Sequence, residues 1–221
     1  PPMYRVSGTV RPTDLPALDA DSAHEMIYDL LDDDQRKALE RDKELDFALQ
    51  FGEVARFRVN CFYTMRGEGA VFRVIPTKIK TIDELSMPPV IKKIAERPRG
   101  LVLVTGPTGS GKSTTLAAII DYINHTRDEH ILTIEDPIEF VHQHHRCIVN
   151  QREVGRNTTG FAPALRSALR EDPDIILVGE LRDLETISLA LTAAETGHLV
   201  FGTLHTQSAP KTCDRIIDVF P

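Results

Sequence analysis

The chain has 221 residues, 41% of them hydrophobic, enough to bury a core in one large or two small domains, and two are expected. A formal net charge of −7 argues against a protein built mainly to bind nucleic acid or a membrane surface, since both need a basic footprint. Cys61, Cys147 and Cys213 stand apart and are odd in number, which excludes a disulfide framework or a Cys-x-x-Cys metal site and points to a reducing compartment.

Tyr4 to Val10 reads as a strand, and Asp21 to about Glu40 as an amphipathic helix with Met26, Ile27, Leu30 and Leu31 inward. The cluster Asp32-Asp33-Asp34 is expected to be a solvated break in that helix. Ala55 to Phe62 and Ala70 to Ile75 read as a hairpin around a turn with Gly67 and Gly69. If Phe62 opposes Gly69, then Arg58 opposes Arg73 on one sheet face. Like charges so placed either attract an anion or splay into water, and the hairpin sequence leaves both open. Arg56 and Arg66 add to its basic character.

Prolines 76, 88, 89 and 98, several lysines and a short helical stretch mark residues 77–98 as a linker between domains 1–76 and 99–221. Beyond it strands and helices alternate. Strands are expected at Leu101–Thr105, His130–Ile134, Cys147–Asn150, Ile175–Val178 and Leu199–Leu204, and helices at Ser113–His125, Pro163–Arg170 and Leu184–Thr196. Asp183 caps the last helix and Gly197 stops it. This pattern predicts an α/β fold with a largely parallel, doubly covered sheet. No apolar run approaches the roughly 18 residues of a membrane span and no signal peptide opens the chain, so a soluble, unexported protein is expected. The opening Pro1-Pro2 and the close at Val219-Phe220-Pro221 predict a piece of a longer protein whose C-terminal part is missing.

Gly106-Pro107-Thr108-Gly109-Ser110-Gly111-Lys112-Ser113 is a complete G-x-x-x-x-G-K-[ST] loop, launched from an apolar strand and followed at Ser113 and Thr114 by a helix. Glycines let the backbone N–H groups close on a triphosphate, Lys112 reaches the β- and γ-phosphates, Ser113 offers a hydroxyl to Mg²⁺, and the helix points its positive end at them. Hydrolysis needs further groups that hold the metal and aim a water. Ile175-Ile176-Leu177-Val178-Gly179-Glu180 is a buried strand ending in an acid, a Walker B pattern in which Glu180 faces Mg²⁺ directly or through water, unless it simply pairs with Arg182. Ile131 to Glu139 is a strand running into a turn with Glu135, Asp136 and Glu139. It is expected beside the phosphate loop as the strand that delivers the water-polarising glutamate, with Glu135 and Glu139 indistinguishable by spacing. His198 and His205 sit at the two ends of the last strand, His205 where a γ-phosphate sensor would lie. His142, His144 and His145 lack a fourth ligand and are expected in a solvated loop.

Together, GPTGSGKSTT, ILTIEDPIEF, REDPDIILVGELRD and TGHLVFGTLHT resemble the Walker A, Asp box, Walker B and His box of the type II/type IV secretion ATPases, most closely those that retract type IV pili. The resemblance extends over essentially the whole chain. It implies a RecA-like phosphate-loop NTPase core behind a smaller α+β, PAS-like N-terminal domain. It makes Glu139 the Asp-box residue that positions or deprotonates water, Glu180 the Walker B acid, and His198 and His205 the His-box pair. Arg58 and Arg73 fall at the family's arginine fingers, which reach a neighbouring subunit's γ-phosphate. It further implies ATP and Mg²⁺, a homo-hexameric ring, and a platform protein of the inner membrane at the pilus base as partner. It implies neither nucleic-acid binding nor membrane insertion, and a bacterial cytoplasmic location peripheral to the inner membrane. A motor for pilus extension or type II secretion is the alternative within the family. A nucleic-acid translocase or a non-hydrolysing nucleotide-binding module is the alternative outside it.

Overall fold

A computed structural model of the chain describes residues 1–52, 55–75 and 78–220 and divides the chain into units at 1–75 and 76–221. The N-terminal unit opens with a hairpin, β1 (Met3–Val6) and β2 (Thr9–Pro12), where one strand over Tyr4–Val10 was expected. Ser7 and Gly8 both have positive φ, +49° and +84°, and turn the chain in two residues. The expected single helix is two, α1 (Ala20–Tyr28) and α2 (Asp33–Asp42). The acidic cluster makes the break: Asp32 accepts from the Asp34 and Gln35 N–H groups while Gln35 reaches back to the Asp32 N–H. Met26, expected inward, stands on the outer face of α1 at 57% exposure, while Ile27 and Leu31 are buried.

A strand not among those expected, β3 (Glu44–Phe51), completes an antiparallel sheet with β4 (Ala55–Thr64) and β5 (Gly67–Ile75). The sheet register pairs Phe62 with Gly69 and Arg58 with Arg73, as the hairpin numbers require. Ile27, Leu31, Leu39, Val59 and Cys61 form this unit's core.

In the C-terminal unit β6 (Gly100–Thr105), β7 (His130–Glu135), β8 (Ile148–Glu153), β9 (Ile175–Val178) and β10 (Leu199–Leu204) form a parallel sheet in the order β6-β10-β9-β7-β8. Successive strand residues point to opposite faces. Ile131, Ile175, Leu177, Leu199 and Phe201 therefore meet α4 (Lys112–Thr126), and Leu132, Ile134, Ile176, Val178 and Val200 meet α5 (Phe161–Ala168) and α6 (Leu184–Glu195). Ile82 and Ala95, from the stretch 77–98 expected as linker, are buried in the α4-side core, with α3 (Val90–Ala95) among its elements. The last helix is α7 (Ala209–Ile217). Among the described residues no helix is long and apolar enough to cross a membrane.

Candidate functional site

β6 ends at Thr105 and the chain turns through the glycine-rich loop into α4. Gly106 adopts φ +150°, and a Cβ there would stand 2.6 Å from Ser110 Oγ, so a side chain at this position would push the loop open. Lys112 Nζ donates to the Gly106 carbonyl at 2.8 Å and the Pro107 carbonyl at 3.2 Å, so the loop folds around an ammonium charge. Pro107, Thr108, Gly109, Ser110 and Gly111 form an exposed rim, while Ser113 and Thr114 begin the helix and are half-buried. Aligned N–H groups at that helix end add positive potential to the same place.

Chain order misplaces one strand. The Asp-box strand β7 does not lie beside the phosphate loop; β10 does, pairing with β6 from Leu199–Gly100 to Leu204–Thr105, and β7 lies beyond β9. The strand inserted next to the phosphate loop thus delivers His205 rather than a glutamate. His205 Nε2 stands 3.2 Å from Glu180 Oε1, and Arg182 Nη2 stands 2.6 Å from Glu180 Oε2. The Arg182 hydrogen bond holds the Glu180 carboxyl below its usual range against the opposing effect of burial, with His205 and Lys112 adding attraction, so Glu180 is an ionised carboxylate. It both pairs with Arg182 and faces the phosphate-loop charges.

The two Asp-box glutamates differ sharply in environment. Glu139 is exposed, and its carboxylate makes no hydrogen bond or ion pair among the described residues. Glu135 is half-buried, and its Oε1 accepts from Thr133 Oγ1 at 2.7 Å and Gln151 Nε2 at 3.2 Å. Burial pushes the Glu135 carboxyl up, opposed by those bonds. β8 also holds the turn that carries Glu139: Glu153 accepts the Ile138 N–H at 3.0 Å, and Gln151 spans from the Phe140 carbonyl at 2.9 Å to the His142 N–H at 2.8 Å. Ser113, Glu135, His142, Gly179 and Thr203 line a cavity of about 40 Å³ between α4 and the strand ends.

His142 is therefore not the solvated loop residue expected, because Gln151 draws its backbone toward the sheet. Burial lowers its pKa from 6.5 to about 4, and its Nδ1 has no hydrogen-bond partner among the described residues. The unfolded chain binds this proton more readily between those values, so stability rises with pH across that window. Acidification from pH 7 to 5 should cost about 2 kcal/mol through this group, and His142→Gln should flatten that part of the profile of melting temperature against pH. An unchanged slope in the variant would assign the acid sensitivity to other groups. His144 and His145 remain exposed as expected, His144 Nδ1 accepting the Val149 N–H at 3.0 Å.

His198 lies apart from this constellation. It sits at the opposite end of β10, roughly 20 Å along the strand from His205. Its Nδ1 is 2.9 Å from the Ala193 carbonyl at the end of α6, so within one chain it caps a helix and does not meet the phosphate loop. Arg58 and Arg73 share a face of the N-terminal sheet, and the anion beside Arg58 is Asp46 of β3, 3.9 Å away. Sequence reasoning missed Asp46 because it passed over β3, although Leu45, Phe47, Leu49 and Phe51 alternate there with Glu44, Asp46, Ala48 and Gln50, a signal that could have found the strand. It missed Gln151 and Glu153 because their significance arises only where β8 lies beside β7, and it passed over Thr133, whose bond to Glu135 is local to β7.

The family model described as "Type II/IV secretion system protein" matches residues 3–219. The chain is 66% identical over 221 residues to "Type IV pilus retractation ATPase PilT" of Pseudomonas aeruginosa, covering 100% of this chain and 64% of that protein. It is 61% identical to "Twitching motility protein" of Neisseria gonorrhoeae, covering 100% of this chain and 59% of that protein. Against the crystal structure of the pilus retraction motor PilT with bound ADP the TM-score is 0.97 at 51% identity, covering 100% of this chain and 65% of that one. The DotB ATPase of Legionella pneumophila gives 0.85 at 34% identity, covering 99% and 63%. The chain thus spans about three fifths of the length of these relatives, and with its phosphate loop, its paired acids and a family match over nearly every residue, it belongs to the type II/IV secretion system protein family.

Proposed function

We propose that the protein hydrolyses ATP to ADP and phosphate as a ring motor that retracts type IV pili. The observation that carries this reading is the meeting, at one end of the parallel sheet, of Lys112 and Ser113 with the ionised Glu180 and His205. High identity along the whole chain to a protein named as a pilus retraction ATPase supports the choice of motor. Ser113 and Glu180, a hydroxyl at a helix start and an ionised carboxylate, are oxygen donors of the kind Mg²⁺ takes, and they would hold it. Held by Ser113 and Glu180, Mg²⁺ would supply charge neutralisation to the triphosphate.

Lys112 binds the triphosphate as a point charge. The loop N–H groups and the α4 terminus orient the triphosphate, and Glu139 takes a proton from the attacking water. His205 stands by Glu180 as a sensor of the γ-phosphate. Arg58 and Arg73 complete a neighbouring subunit's site, which makes a homo-hexamer part of the catalytic machinery. The ring works at the cytoplasmic side of a bacterial inner membrane, on a platform protein at the pilus base.

Lys112→Ala should weaken ATP binding about 100-fold, the loss of a charge-assisted contact of about 3 kcal/mol. Equilibrium titration with a fluorescent ATP analogue measures it, and tight binding by the variant would remove the phosphate-loop assignment. Mg-ATP turnover per chain should rise with protein concentration where rings form. Activity independent of concentration, with full turnover, would contradict a site shared between subunits.

A further inference from the structure

Ser113 and Glu135 both line the cavity between α4 and the ends of β7, β9 and β10. Its volume, about 40 Å³, has room for about two waters, and the Ser113 and Thr203 hydroxyls, the Glu135 carboxyl and the His142 ring give them polar partners. A hydroxyl has one proton and two lone pairs. When Ser113 turns a lone pair toward a cation at the phosphate loop, its proton must find another acceptor. Glu180 is already engaged by Arg182 at 2.6 Å and by His205 at 3.2 Å. Glu135 is the carboxylate that lines the cavity with Ser113.

We infer that Glu135 is a positioning residue that accepts the hydrogen bond of the Ser113 hydroxyl, relayed by cavity water, and so orients the Ser113 oxygen toward Mg²⁺. The surroundings are built for a fixed carboxylate. Thr133 and Gln151 both donate to Oε1, at 2.7 and 3.2 Å, and Gln151 is itself anchored on the Phe140 carbonyl and the His142 N–H. Gly179 closes the cavity from the β9 side: its N–H donates to the Ile134 carbonyl at 2.8 Å, and a Cβ there would meet the Glu135 Cα at 3.3 Å. Thr203 Oγ1 donates to the Gly179 carbonyl at 2.6 Å. The wall that holds Glu135 is thus tied to the strand ends that carry Glu180 and His205. Support of this kind from outside the direct ligands typically changes metal affinity 10- to 100-fold.

The inference rests on the ATPase reading, and a double-mutant cycle read by binding separates the two. Affinity for a fluorescent ADP analogue is titrated against Mg²⁺ for the wild type, Glu135→Gln, Ser113→Ala and the double variant. Glu135→Gln is expected to raise half-saturating Mg²⁺ about tenfold and to leave Mg²⁺-free nucleotide affinity unchanged. The double variant is expected to be no worse than Ser113→Ala alone, because Glu135 acts through that hydroxyl. Effects that multiply would overturn the inference and leave the ATPase reading intact. A wild type whose nucleotide affinity ignores Mg²⁺ would instead overturn the metal site on which both depend. Should Glu135→Gln fail to fold, Glu135→Asp, which keeps the charge and retracts it by one methylene, takes its place in the same cycle.

Discussion

Glu139→Gln is expected to abolish turnover, by about 10²- to 10⁴-fold, while ATP binding stays near that of the wild type. A base that activates water must keep an uncommitted lone pair and reach solvent at the site mouth. Glu139 meets both conditions, since it is exposed and its carboxylate is unpaired among the described residues. Glu135 fails the second, half-buried where Thr133 and Gln151 hold it against the cavity wall. Gln at 139 keeps size and polarity, so the turn held by Glu153 and Gln151 should persist. Single-turnover kinetics with radiolabelled ATP separate binding from chemistry. Normal turnover by Glu139→Gln would move the base to another residue, with Glu135 next in line.

Arg58→Ala should lower turnover about 10³- to 10⁵-fold, the range of an arginine that stabilises phosphoryl-transfer charge. The fold offers Arg58 at low cost. Its contact with Asp46 is long, at 3.9 Å, and both side chains are exposed, at 42% and 59%, so the pair contributes at most about 1 kcal/mol and yields easily to a phosphate. Arg73, directly opposite on β5, repels Arg58 and favours the same exchange. On the proposed action across a subunit boundary, mixing inactive Arg58→Ala with inactive Glu139→Gln should restore activity. Random equal mixing leaves roughly a quarter of the junctions with an intact glutamate on one side and an intact arginine on the other. Mixed rings that stay dead would place the arginine's action within its own subunit or outside catalysis.

Local chemistry alone determined much of this protein. The phosphate loop is legible because a fixed spacing of glycines, Lys112 and Ser113 meets a need of the backbone itself, and the strands of the parallel sheet are legible because burial on both faces leaves continuous apolar runs. The opposition of Arg58 and Arg73 followed from hairpin arithmetic, since a tight turn sets the register of both strands. The tertiary structure decided what depends on distant partners. Strand order could not be read from chain order, so β10 rather than β7 borders the phosphate loop, and His205 rather than a glutamate arrives beside it. Glu135 and Glu139 look alike in sequence, yet β8 brings the Gln151 donor to one of them, and the other stands in solvent. His142 left the solvated loop and Asp46 joined Arg58 for the same reason: a side chain's environment is set by whichever strand packs beside it, and strand pairing is a property of the whole sheet.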